Sequence, residues 1–177
     1  AAREHVPSNR LCIAGVGRES TIETIRATKR AADLGVDAVL VRTPSFFKAL
    51  LTPEVFVVHY TAVADASPVP GLLYNFSALT GVTLPVEAAR ELSIHENILG
   101  LKESGPDMGY VGALVDLAPD GFNVLVGSAP TFFASLALGA DGGILALACV
   151  APDACVKIYE LVVAGRYDEA RELQRQV

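Results

Sequence analysis

The chain has 177 residues, 51% hydrophobic and 19% charged, with a net charge of −6. That is apolar matter for one sizeable core, and an acidic balance without a Lys/Arg cluster argues against nucleic acid as a partner. No apolar run approaches the ~18 residues of a membrane helix, and Cys12, Cys149 and Cys155, odd in number and without metal-ligand spacing, read as reduced core thiols.

The first apolar segment, RLCIAGVG (10–17), reads as a buried strand ending at glycines. Ser20 and Glu23 then form an S-x-x-E capping box, and Ile22, Ile25 and Ala32 mark the inner face of a helix that Gly35 closes. VDAVLVRTP (36–44) is the second strand, dense in Val and stopped by Pro44. Thr52-Pro53 opens the next helix with Pro at its first position. The alternation continues with a strand over 69–75 and a helix from Pro85, then a strand over 97–102 and a helix over 108–118. A strand over 122–127 leads to a helix over 131–139, a strand over 142–150 to a helix over 153–165, and a last helix opens at Tyr167. The strands are continuous apolar runs, as strands buried on both faces are.

Six βα units predict an α/β fold with a parallel sheet and outer helices. An open doubly wound sheet and a (β/α)8 TIM barrel both accommodate them. GVGRES (15–20) has G-x-G without the third glycine of a dinucleotide fingerprint, and no Walker motif occurs, so the barrel is favoured. A complete barrel takes about 250 residues. The expectation is therefore a single partial barrel domain over 1–177, a piece of something longer, since the chain begins Ala-Ala-Arg and its only methionine is Met108.

Barrel chemistry sits at the C-terminal ends of the strands. There the sequence offers Gly15, Gly17, Thr43, Tyr74, Asn75, Lys102, Gly127, Ser128 and the Ile144 region. His5, His59 and His95 are scattered, with no zinc-type arrangement. Lys102 and Tyr74 are the candidates for covalent or proton-transfer chemistry, although a strand-end lysine taken alone is more often a solvated rim residue. A lysine at its ordinary pKa of ~10.4 is protonated at neutral pH. Desolvation at an apolar barrel mouth frees the amine to attack a ketone, and the resulting iminium withdraws electrons from the neighbouring carbon–carbon bond. A phenol beside it can carry the protons.

LLYNFSALTG (72–81) resembles the Y-N-x-P-x-x-[TS]-G segment of the dihydrodipicolinate synthase / N-acetylneuraminate lyase family, and ILGLKESGPD (98–107) its G-[IVLM]-K-[DE] strand. Segments 17–48 and 126–150 are similar to the same family, so the likeness covers nearly the whole chain. HYTAVADASPVPGLLYN (59–75) and LKESGPD (101–107) are most similar to 4-hydroxy-2-oxoglutarate aldolases. The resemblance implies a class I aldolase or lyase in which Lys102 forms a Schiff base with pyruvate and Tyr74 is the acid/base. It implies that Thr80 and Gly81 position the loop after Tyr74, that Ile144 lines the pyruvate pocket, that Gly127 leaves room at the rim, and that Ser104 contacts the distal end of the substrate.

Three positions depart from the family pattern. Ser77 replaces a proline. Leu79 stands in the substrate site where the synthase carries an arginine for a second carboxylate. Phe46 and Phe47 replace tyrosines, one of which joins the family's proton relay across a subunit interface. The family's N-terminal strands, with a Gly-Thr-Thr-Gly-like segment for the pyruvate carboxylate, and its C-terminal helices are not in this sequence. The implied activity is cleavage of a 4-hydroxy-2-oxo acid such as 4-hydroxy-2-oxoglutarate. Dihydrodipicolinate synthase, or a lyase of N-acetylneuraminate or keto-deoxy sugar acids, is the alternative with the same mechanism. A catalytically silent binding paralogue is the alternative of another class. No cofactor and no metal are implied; the partners are a small 2-oxo acid and, for the complete protein, further copies of itself in a cytoplasmic homotetramer, with a transit peptide left open.

Overall fold

Proline-, serine- and threonine-marked starts divide the chain into alternating strands and helices. The computed structural model describes residues 2–177. In order these are α1 (Ala2–His5), β1 (Ile13–Gly15), α2 (Thr21–Asp33), β2 (Ala38–Arg42), α3 (Pro53–Ala66), β3 (Gly71–Asn75), α4 (Ser77–Thr80), α5 (Val86–Leu92), β4 (Ile98–Glu103), α6 (Met108–Leu117), β5 (Asn123–Val126), α7 (Phe132–Ala137), β6 (Gly142–Gly143), α8 (Pro152–Val163) and α9 (Tyr167–Gln174). The expected starts are physically capped: Ser20 Oγ accepts the Glu23 N–H, and Thr52 Oγ1 accepts the Val55 N–H. The box at Ser20 is only half made, because the Glu23 carboxylate pairs with Arg26 instead. Asp107 caps α6 through the Gly109 and Tyr110 N–H groups, and the short α1 and α4 were not anticipated from sequence.

The strands form one sheet in the order β1-β2-β3-β4-β5-β6, each parallel to the next. A doubly wound sheet reverses its order at a switch point. Here the order never reverses, so the sheet is six strands of a barrel wall.

Two apolar clusters hold it. In the first, Val39, Val41, Leu73, Leu101 and Val124 of the strands pack with Phe56, Tyr60 and Val63 of α3, Ala88, Ala89 and Leu92 of α5, and Leu114 of α6. In the second, Val126 and Val111 pack with Phe132 and Leu136 of α7 and Ile158, Leu161 and Val162 of α8. Because side chains alternate along a strand, the residues between these point to the opposite, inner face. Leu40, Arg42, Tyr74, Lys102 and Leu125 there are only half-buried. The strands expected to be buried on both faces thus have one open face in this chain.

Three further expectations are corrected. The last strand is two residues long rather than 142–150. Its second half, Ala146–Cys149, is a 3-10 turn, since Ala-Leu-Ala-Cys has no β-branched side chain to favour a pleat. The buried face of α2 is Thr24, Thr28 and Ala31, with Ile25 packed against the core as expected and Ile22 63% exposed. Thr24 can be buried because its hydroxyl accepts the Arg18 N–H and donates to the Ser20 carbonyl. Of the three free cysteines only Cys155 is in the core; Cys149 is exposed and Cys12 half-buried.

One irregularity sets the phase of β4. Gly71 pairs with Ile98 and Leu72 with Gly100, so Leu99 bulges out without a partner on β3. Its carbonyl accepts from Asn123 Nδ2 at 2.8 Å. Ile98 and Leu101, three apart, both belong to the helix-side cluster as a result, and Lys102 faces inward.

Candidate active site

The β3–β4 register sets Tyr74 directly beside Lys102 near the C-terminal ends of both strands. The same row continues to Arg42 on β2 and Leu125 on β5. Lys102 Nζ rests over the Tyr74 ring, 4.2 Å from its centroid, a distance at which the π face attracts an ammonium. The Tyr74 hydroxyl lies 3.5 Å from Ser104 Oγ, the long limit of a hydrogen bond.

Gly127, just beyond β5, completes this group by what it lacks. A Cβ there would fall 1.9 Å from Ser104 Oγ and 2.7 Å from Lys102 Cε. Its N–H donates to the Glu103 carbonyl at 2.7 Å, so the backbone is pinned against the lysine strand.

Beside the pair runs a buried polar chain. Asn75 Oδ1 accepts the Leu84 N–H at 2.8 Å, Asn75 Nδ2 donates to one Glu103 carboxylate oxygen, and the other accepts the Gly105 N–H. Burial pushes the Glu103 carboxyl above its ordinary range, while the bonds from Asn75 and Gly105 pull it back. This chain ties the segment after Tyr74 to the segment after Lys102, and so fixes the spacing of both ends.

The remaining expected residues fall into two groups. Thr80 is buried in the turn after Tyr74, its Oγ1 2.9 Å from the Val82 carbonyl and 3.0 Å from that of Phe76. Gly81 ends α4 at φ 65°, and Leu79 is 78% exposed. Among the described residues no hydrogen bond or ion pair joins these three to Lys102 or Tyr74. Ile144 is half-buried beyond β6 and donates its N–H to the Val126 carbonyl at 2.9 Å, which sets it beside the start of the Gly127 turn.

Phe46 and Phe47 are both exposed and meet edge to face, 4.9 Å apart. Their loop is held by Glu19, which accepts the Ser45 N–H at 2.7 Å and the Phe46 N–H at 2.9 Å and pairs with Arg42 at 3.0 Å. Burial alone would raise the Glu19 carboxyl, but these donors outweigh it and hold its pKa at about 2. Sequence reasoning missed Glu19 and had Glu103 only as the acid of the lysine motif, without a role. Glu19 precedes the Ser20 cap and looks like a solvated first-turn acid; Glu103 follows the lysine and looks like the start of a loop. The single local hint was an acid abutting a buried run.

The sequence of residues 2–177 matches the Dihydrodipicolinate synthetase family. The chain belongs to that family. It is 39% identical over 162 residues to the 4-hydroxy-tetrahydrodipicolinate synthase of Exiguobacterium sp., covering 92% of this chain and 55% of that protein. It is 41% identical over 163 residues to a protein of Emericella nidulans named "Probable 4-hydroxy-2-oxoglutarate aldolase, mitochondrial", covering 92% and 53%. The dihydrodipicolinate synthase of Acinetobacter baumannii, solved in complex with pyruvate, superposes with a TM-score of 0.89 at 36% identity over 95% of this chain and 57% of that one. A prophage protein of the family from E. coli K12, also in complex with pyruvate, gives 0.91 at 28% identity over 98% and 59%. The chain thus spans a little over half the length of the relatives it matches. Among the described residues no helix is long and apolar enough to cross a membrane.

Proposed function

We propose that the chain works within a complete eight-stranded barrel as a pyruvate-forming class I aldolase acting on 4-hydroxy-2-oxo acids. The observation that carries this reading is Lys102 Nζ 4.2 Å over the Tyr74 ring. Such a pair supplies a nucleophile and a proton carrier at one strand-end level. Lys102 adds to the C2 ketone of the substrate, and the Tyr74 phenol gives its proton to the carbinolamine hydroxyl, which leaves as water to form a protonated imine beside a phenolate. The Tyr74 phenolate takes the proton of the C4 hydroxyl; the C3–C4 bond breaks, its electron pair passes to the imine nitrogen, and an aldehyde departs. Tyr74 passes its proton to C3 of the remaining enamine and recovers one from the water that hydrolyses the imine, which releases pyruvate and the free amine. Ser104, Gly127 and Ile144 shape the space beside the imine, while Thr80 and Gly81 hold the turn that follows Tyr74.

A second reading, condensation of pyruvate with aspartate semialdehyde, is favoured by the name of the Exiguobacterium relative. Leu79 argues against it, because at this position an aliphatic side chain cannot grip the carboxylate of that aldehyde.

The test is borohydride reduction of the complete-barrel protein in the presence of pyruvate. One pyruvate-derived mass on the peptide bearing Lys102 is expected, and Lys102→Arg should keep the fold and lose both label and turnover, since a guanidinium stays protonated. Label on Lys48 or Lys157 instead would remove the reading. Condensation with aspartate semialdehyde as fast as the best cleavage reaction would favour the synthase.

A further inference from the structure

Four cations stand on the described C-terminal side of β1 to β4, and three of them are committed. Arg18 Nη1 donates to the Val16 and Gly17 carbonyls at 3.2 and 3.0 Å. Arg42 is tied to Glu19, to the Thr43 carbonyl and to Ser45. Lys102 has to be uncharged when it attacks a ketone. The fourth is Lys48, at the start of the 3-10 turn Lys48–Leu50. Among the described residues its ammonium has no hydrogen-bond acceptor and no carboxylate partner.

Lys48 nonetheless has a defined place. A Cβ on Gly81 would lie 2.5 Å from its Nζ, 3.4 Å from Cε and 3.9 Å from Cδ, so the end of the side chain runs along the glycine that closes α4. At the start of α4, Ser77 Oγ would be 3.7 Å from a Cβ on Gly105. Gly105 follows Ser104, whose hydroxyl approaches Tyr74. The turn after Tyr74 therefore has the Lys48 ammonium against one end and the Ser104 segment against the other. Leu79, exposed on that same turn, adds an apolar wall and no charge.

An unpaired ammonium at the edge of a site whose substrate is an acid has an evident counter-ion. We infer that Lys48 is a specificity-determining residue that receives the distal carboxylate of a dicarboxylic 4-hydroxy-2-oxo acid. This rests on the aldolase reading above and adds the residue that meets the distal carboxylate; because Lys48 could meet the carboxylate of aspartate semialdehyde as well, it separates diacids from neutral-ended substrates and not the aldolase from the synthase.

The experiment compares 4-hydroxy-2-oxoglutarate with 4-hydroxy-2-oxopentanoate, which carries a methyl group in place of the distal carboxylate, in the complete-barrel protein and its Lys48→Met, Lys48→Glu and Lys48→Arg variants. Lys48→Met should raise KM for the diacid by about 2- to 5-fold, the worth of one exposed ion pair. Its kcat should hardly move, and KM for the methyl analogue should not change. Lys48→Glu should be worse than Lys48→Met for the diacid alone, and Lys48→Arg should restore it. Added salt should erode the preference for the diacid in the parent and not in Lys48→Met, because an exposed pair is screened. Borohydride trapping with pyruvate checks each variant for an intact site. Trapping retained with an unchanged diacid preference, or an equal loss on both substrates, overturns the role of Lys48 alone. Failure to trap pyruvate in the parent overturns the aldolase reading and this inference with it.

Discussion

At Gly127 an absent side chain does as much as the lysine beside it. The 1.9 Å and 2.7 Å separations from Ser104 Oγ and Lys102 Cε leave no room for a methyl group. Gly127→Ala in the complete-barrel protein should therefore displace Lys102 or Ser104 and lower kcat by about 10²-fold or more, since small misplacements of reacting groups are that costly. Circular dichroism should report an intact fold; an alanine variant with unaltered kcat would mean that the lysine reacts from another rotamer. Lys102 and Tyr74 were legible in the sequence because an amine and a phenol at the ends of apolar runs are conspicuous. Asn75 stood among the strand-end residues and Glu103 in the lysine motif, but their role was not legible, because it lies in a bond between residues 28 apart. No local pattern tells a carboxylate that closes a buried chain from one that faces water. Lys48 was invisible for the same reason: only the fold brings it to Gly81.

Among the elements, the loop between β2 and α3 depends on one carboxylate. Glu19 holds it through the Ser45 and Phe46 N–H groups and Arg42. With its pKa at about 2 in the folded chain against an ordinary 4.5, Glu19 binds its proton more readily when unfolded. Its contribution to stability is thus complete above pH 4.5 and is lost as the pH falls toward 2. The carboxylate is partly exposed, so solvent screening keeps the effect modest. Urea midpoints of the complete-barrel protein should fall more steeply across this window than those of Glu19→Gln; parallel curves would assign the loop to its other contacts. Helix starts were readable because Ser20 and Thr52 act on their own neighbours in sequence. The buried face of α2 was not, since apolarity pointed to Ile22 whereas hydrogen bonding allowed Thr24 inside. The sixth strand was overdrawn because Ala146–Cys149 is apolar without a β-branched residue to favour a pleat.

On the scale of the molecule, the half-open inner face is the dominant liability of the 177-residue polypeptide on its own. Its edge strands are short, β1 with three residues and β6 with two, which limits edge-to-edge pairing. The inner face offers Leu40, Tyr74 and Leu125 to water instead, and ahead of β1 Leu11 is 77% exposed. The isolated polypeptide is expected to self-associate or to lack a cooperative melt, and to leave Lys102 unlabelled by pyruvate and borohydride. Size-exclusion chromatography and calorimetry check this; a monomer that melts cooperatively and takes the label would mean that six strands suffice. The parallel alternation was plain from sequence because each unit repeats the same grammar. The unbroken strand order followed from the expected barrel and not from any one strand, because nothing within one strand states which strand lies next to it.

The bulge at Leu99 bears on how this strand can change in length. Ile98 sits at 4% exposure on the helix side, and Lys102 faces the other way, only because one unpaired residue intervenes. Deleting Leu99 would force one of them to turn over. Exposing an isoleucine costs about 1.5–3 kcal/mol, whereas an unpaired ammonium among helices costs several, so Ile98 would yield and the lysine would stay. The start of the strand is thus the place where an evolving lineage can absorb an insertion or deletion, and its end is the place where it cannot.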